Sequence, residues 1–228
     1  FVSLLNELRV GRASPATCAK LQATVARGLR AVNGIKPTEL FARNVDVDAV
    51  NKRKLQELPG AETPLMAQDE GDENKIKDCA YPKELILKVD AQVMLLKNID
   101  VKAKLINGSR GRVVAIQQKG GTIDSIKCEF AHAGEWNVKR DDATVEQAGK
   151  VLASRSQFPL RLAWAVTIHK AQGQTLDLLE VDLRGCREFG QAYVAVSRAT
   201  AMKKLRVLNF DPSVVRAHPR AVEYVDRL

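Results

Sequence analysis

Apolar runs of strand length alternate with short amphipathic runs through the last seventy residues, and this order restricts the fold more than any other feature. Gln157–Ala165, Leu178–Leu183 and Leu205–Phe210 read as buried strands, while Thr167–Gln172 and Gln191–Arg198 read as helices between them. Strand–helix–strand–helix–strand is the rhythm of a parallel sheet, because a parallel neighbour needs a crossover long enough to return to the same end of the sheet. The fold class is therefore α/β.

Two short segments in this region carry the chemistry. Thr167–Asp177 reads TIHKAQGQTLD and Gly190–Ala199 reads GQAYVAVSRA. His169 and Lys170 stand just before Gln172-Gly173 on a strand-to-helix connection. Backbone N–H groups at a helix start, joined by a lysine, make a phosphate grip that ignores base sequence. The plainer alternative is a histidine packed under the sheet and a lysine in water. Thr167 suits either a hydroxyl donor to phosphate or a helix cap. Gly173 permits a close backbone approach or a positive φ, and the spacing does not say which ligand Gln172 and Gly173 meet. Arg198 follows Tyr193, Val194 and Val196, which anchor its turn in the core. A guanidinium held this way can place its fork between phosphoryl oxygens, or close a helix end by pairing with Asp177 or Asp182.

The rest of the chain sorts into three parts. Phe1, Leu4, Leu5 and Leu8 share one helical stripe, and Ser14-Pro15 reads as a cap and first turn of a second helix running through Leu29 to Gly34. Pro37–Phe41 reads as a short buried strand leading to a helix over Asp46–Leu58, with Asn51 on its less apolar face, open to ligand or solvent. Ala61–Asp78 is acidic and aperiodic and reads as a mobile surface loop. Leu85–Val89 and Gln92–Leu96 are strand-length runs. Asn107-Gly108, Arg110-Gly111 and Gly120-Gly121 then supply tight turns to β-rich stretches at Arg112–Ile116, Thr122–Phe130 and Trp136–Val138, the grammar of a small barrel. Arg110 is a better candidate for DNA contact than Asn107. Trp136 and Trp164 are open to base stacking or to the core. Arg216–Leu228 reads as a docking helix after Pro212.

Composition narrows the partners. Lysine and arginine outnumber aspartate and glutamate 36 to 27, giving a net charge of +9, the electrostatic footprint of a nucleic-acid binder. Cys18, Cys79, Cys128 and Cys186 are scattered, without the close ligand pairs of a zinc site or the density of a disulfide scaffold. No apolar run reaches the ~18 residues of a membrane helix, so no membrane partner is expected. No G-x-x-x-x-G-K-[ST] loop is present: the one Gly-Lys pair, Gly149-Lys150, is followed by Val151.

The two C-terminal segments resemble the fifth and sixth motifs of superfamily-one helicases, and their wording is that of the Pif-type 5′-to-3′ DNA helicases. FVSLL at the start, VDAVNKRKLQELPG, and VDAQVMLLKNID followed by LINGSRG resemble other segments of the same family. The resemblance implies a helical end of a first RecA-like domain over 1–34, and a second RecA-like domain over 35–98 and 156–228. It also implies an inserted SH3-like β-barrel over 99–155. Arg198 is then the arginine finger, and ATP with Mg²⁺ is held mainly by a first RecA-like domain that this C-terminal half does not contain. Gln172, Gly173 and Arg198 face nucleotide, while Thr167, His169, Lys170, Asn107 and Arg110 face DNA. The implied partners are single-stranded, forked or G-quadruplex DNA, in nucleus or mitochondrion for a eukaryotic protein and otherwise in the cytoplasm. A non-catalytic nucleic-acid-binding module and a RecD-like or transposon-encoded helicase half remain as alternatives.

Overall fold

A computed structural model describes residues 1–225 and 227, with residue 78 described by its backbone alone. The chain divides into two compact units. One comprises Phe1–Ala31, Lys36–Asn51 and Trp164–Leu228; the other comprises Val32–Ile35 and Lys52–Ala163.

The first unit holds a four-stranded sheet in the order Ala165–Thr167, Thr38–Phe41, Leu179–Asp182, Leu205–Leu208, with every pair parallel. Leu40, Ala165, Leu179, Val181, Leu205 and Val207 are wholly buried, as expected of parallel strands covered on both faces. Val2–Arg9 buries Leu4 and Leu8 along the stripe seen in the sequence. In the next helix, Pro15–Ala23, the Ser14 hydroxyl accepts from the Thr17 N–H with Pro15 in the first turn. This helix stops earlier than its periodicity suggests, in a tight turn over Thr24–Ala26. The Thr24 hydroxyl donates to the Leu21 carbonyl (2.7 Å) and accepts from the Val207 N–H (2.8 Å). Those two bonds tie the helix end to the sheet edge, and Arg27 leaves in extended conformation.

Asn44–Glu57 is the expected helix after the first strand, and Asn51 on it is not a surface residue. Its Nδ2 donates to the Ala165 carbonyl (2.9 Å) and its Oδ1 accepts the Ala165 N–H (3.0 Å). The amide thus finishes the hydrogen bonding of an edge strand that has no strand neighbour on that side, and it is unavailable to a ligand. The C-terminal helix covers Pro219–Val225; residues 226 and 228 of the expected helix lie outside the described residues.

The second unit is antiparallel. Its main sheet runs Leu160–Leu162, Gln92–Leu95, Arg110–Lys119, Thr122–Phe130, Gly134–Lys139. The Gly120-Gly121 turn has φ of 60° and 81°, the doubly positive turn that matches strand twist in a two-residue hairpin. A three-stranded sheet orders Gln68–Gly71, Lys150–Gln157 and Asp141–Gln147, and Thr63–Met66 pairs with Glu84–Leu87. Among the described residues no sheet closes into a barrel. After Lys139 the chain turns at Arg140 and begins a strand that pairs in the other sheet, so the expected ring stays open.

The acidic stretch 61–78 is not a free loop. It supplies strands to two sheets, and Asp69 takes a bidentate hydrogen bond from Arg155 (2.7 Å to each oxygen) whose side chain is 7% exposed. An aspartate that looks solvating in the sequence is the counter-ion of a buried arginine. The Arg155 fork holds the Asp69 carboxyl below its ordinary range.

Candidate nucleotide and nucleic-acid site

The site belongs to the first unit and is built on the loop leaving the strand Ala165–Thr167. Ile168 continues the parallel pairing by donating its N–H to the Phe41 carbonyl (2.9 Å). From there the chain makes consecutive turns and not the expected helix: Ala171 N–H to Thr167 carbonyl (3.0 Å), Gln172 to His169 (3.1 Å) and Gln174 to Ala171 (3.1 Å). Gly173, at φ +79°, is the reason. A left-handed residue ends right-handed helical turns and costs glycine little.

The loop sorts its side chains by exposure. Thr167 is buried, and its hydroxyl accepts the Lys170 N–H (3.3 Å), so it caps the turn. His169 is exposed and its Nε2 lies 3.2 Å from Glu188 Oε2, a carboxylate at the mouth of the loop. Lys170, Gln172 and Gly173 are exposed. A Cβ added at Gly173 would meet open space, so nothing in the unit itself crowds that backbone.

The second motif forms Gln191–Val196, a helix entered from Gly190 at φ +74°. Gln191 folds back so that its Oε1 accepts the N–H groups of Arg187 (3.0 Å) and Glu188 (3.4 Å). Arg198 follows the helix and reaches the loop. Its Nη1 donates to the Gln174 carbonyl (3.3 Å), 24 residues back in the chain, while its Nε donates to the Val194 carbonyl (3.0 Å) and its Nη2 to the Ser197 hydroxyl (2.8 Å). Leu176 N–H closes the junction on the Arg198 carbonyl (2.8 Å).

All three acceptors of the guanidinium are neutral oxygens. The acids that the sequence offers as its partners are engaged elsewhere: Asp177 with Lys204 (3.2 Å) and Asp182 with Arg184 (2.6 Å). Arg198 is therefore fixed in direction by neutral oxygens, with no carboxylate among its hydrogen-bond acceptors in the described residues, which suits it to an anion. Gln174, the acceptor that joins the two motifs, does not stand out in the sequence; its only signal is adjacency to Gly173.

The remaining candidates lie apart. Asn107-Gly108 builds a turn with Gly108 at φ +93°, its Asn107 N–H donating to Asn98 Oδ1 (2.8 Å). Arg110 begins a strand and is only 7% exposed, leaving little of its guanidinium at the surface. Trp164 is buried at 5% exposure and offers no ring face to a base, whereas Trp136 is half-buried with its Nε1 donating to the Ala133 carbonyl (2.9 Å). Among the described residues no three His, Cys, Asp or Glu side chains converge on a common point, and no helix is long and apolar enough to cross a membrane.

Comparison with known proteins agrees across the chain. Residues 74–116 match the family model "DNA helicase Pif1, 2B domain". The human ATP-dependent DNA helicase PIF1 is 41% identical over 98% of this chain, which covers 35% of the human protein. Pif1 of Bdellovibrio bacteriovorus is 37% identical over 82% of the chain, covering 42% of that protein. The crystal structure of Pif1 helicase from Candida albicans superposes with a TM-score of 0.83 at 34% identity, over 99% of this chain and 57% of that one. Bacteroides Pif1 bound to single-stranded DNA shares the fold, with a TM-score of 0.70 at 24% identity over all of this chain and 53% of that one.

Proposed function

This chain belongs to the Pif1 family of DNA helicases, of whose curated members it spans about a third of the length, and from that premise we propose that it is the nucleic-acid-gripping, arginine-donating half of an ATP-dependent 5′-to-3′ DNA helicase. The carrying observation is the bond from Arg198 to the Gln174 carbonyl, which locks the sixth-motif arginine onto the fifth-motif loop.

In this reading the loop Thr167–Gln174 holds backbone phosphate through Lys170 and the turn's N–H groups, with His169 restrained by Glu188. Arg198 meets the γ-phosphoryl of ATP bound by a first RecA-like domain. Any shift of nucleotide charge at Arg198 pulls on Gln174 and so on the DNA-holding loop, a mechanical link between hydrolysis and grip. The described residues offer donors for phosphate and no carboxylate cluster for Mg²⁺, so the metal is assigned to the first domain, where it would neutralise phosphate charge. The antiparallel sheets of the second unit correspond in this assignment to an opened-out SH3-like insertion. Forked and G-quadruplex DNA are the proposed structured substrates.

The test is unwinding by the full-length protein of duplexes carrying a 5′ or a 3′ single-stranded tail. ATP-dependent opening of the 5′-tailed duplex is expected. No opening of either, with DNA still bound, would favour a non-catalytic binding module.

A further inference from the structure

The helix Gln191–Val196 stops just short of Ser197 and Arg198. At that end the Arg198 N–H donates to the Ala195 carbonyl (3.3 Å) and not to that of Val194, its partner in a continuing α-helix. The last carbonyls of a helix lose their intrahelical donors and must find others. Val194 finds two, both on side chains: the Ser197 hydroxyl donates to its carbonyl (2.9 Å), and so does the Arg198 Nε (3.0 Å).

A hydroxyl has a single proton to give. With that proton spent on Val194, the Ser197 oxygen faces the guanidinium as an acceptor, and the Arg198 Nη2 donates to it (2.8 Å). Nη1 is held by the Gln174 carbonyl (3.3 Å). The five N–H groups of a guanidinium lie in one rigid plane, so fixing Nε and both terminal nitrogens fixes the direction of the N–H groups that remain. Two of the three acceptors are backbone carbonyls, and Ser197 Oγ is the one that belongs to a side chain. A carboxylate in its place would hold the fork equally well, but it would compensate the charge that a phosphoryl oxygen is to meet. The hydroxyl orients without neutralising.

We propose that Ser197 is the positioning residue for Arg198: its hydroxyl presets the guanidinium for a phosphoryl oxygen and leaves its charge intact. Ser197 acts through Arg198 and makes no contact with nucleotide of its own. A donor already ordered before the reaction has no reorganisation to undergo as charge develops, which lowers the barrier. The inference rests on the reading of Arg198 as the arginine that meets nucleotide.

The experiment is the steady-state ATPase of the full-length protein at saturating single-stranded DNA, below the thermal midpoint of every variant. The variants are Ser197→Ala, Ser197→Thr, Arg198→Ala and Ser197→Ala/Arg198→Ala. Ser197→Ala should lower kcat by roughly fivefold to tenfold, the scale of one hydrogen bond. The KM for ATP should stay within about twofold, because the oriented fork acts on the transition state. Ser197→Thr keeps the hydroxyl and should restore most of kcat. In the Arg198→Ala background the loss of the hydroxyl should have no further effect, the signature of one residue acting through another. A loss of equal size in both backgrounds makes Ser197 structural and overturns the inference. An unchanged kcat in Ser197→Ala, beside a large fall in Arg198→Ala, also overturns it and leaves the proposed function standing. Undiminished turnover in Arg198→Ala removes both readings.

Discussion

Asn51 shows how a single residue can be legible in place and illegible in role. Its position on a helix follows from periodicity, but its amide is spent on both backbone groups of Ala165, a partner 114 residues away that no local pattern announces. Asn51→Ala leaves a buried N–H and a buried carbonyl without partners, at a cost of about 2–4 kcal/mol, read as a lowered midpoint in urea. Asp69 misleads for a similar reason: its acidic neighbours suggest solvent, while Arg155 lies 86 residues on. Asp69→Ala leaves that guanidinium buried without its counter-ion, holding only the Tyr81 carbonyl, on the order of 3 kcal/mol. The pair also sets an acid limit. The folded carboxyl titrates below its unfolded value, so its contribution is complete above the unfolded pKa of about 4. It is lost as pH falls through the folded pKa. The Asp69→Ala variant should accordingly show a flatter stability profile between about pH 5 and pH 2; an unaltered profile would mean the pair contributes nothing.

Elements with strong periodicity fold as their spacing predicts, and those set by backbone torsion do not. The strands Thr38–Phe41, Leu179–Asp182 and Leu205–Leu208 and the helices Val2–Arg9 and Asn44–Glu57 follow their apolar spacing. The single strand expected over Gln157–Ala165 instead divides into the antiparallel Leu160–Leu162 and the start of the parallel Ala165–Thr167. The segment after Thr167 has helical spacing but carries Gly173, and the positive φ there converts a helix into turns. That change matters to function, because turns expose Lys170, Gln172 and Gly173 together. His169→Ala/Lys170→Ala should weaken binding to two unrelated oligonucleotides equally and lower the salt slope by about 0.7 for each phosphate no longer gripped. Weaker binding to one sequence only would dismiss the backbone grip. The strand Gln68–Gly71 reads as loop because its residues are polar and exposed; only its pairing with Lys150–Gln157 makes it a strand. Gly71 is at φ +90°, and a Cβ there would overlap the Leu152 carbonyl oxygen. Gly71→Ala should therefore free this edge strand, seen as faster hydrogen exchange confined to the three-stranded sheet.

At the scale of the whole molecule, the family is legible because two motifs lie in order in the last seventy residues. The division into units is less so. The strands Gln68–Gly71 and Gln92–Leu95 join the antiparallel unit through long-range pairings, which no local pattern in residues 61–98 announces. The central claim is that Arg198, held by three neutral oxygens against the loop, acts on nucleotide and not on DNA. The most direct measurement is the steady-state ATPase of the full-length protein carrying Arg198→Ala, alongside its affinity for single-stranded DNA. Turnover is expected to fall by about 10³-fold or more, the contribution of an arginine finger. DNA affinity should stay within about twofold of the parent, since charge developing in transfer is absent from ground-state binding. Undiminished ATPase, or a drop in DNA affinity as large as the drop in turnover, would contradict it.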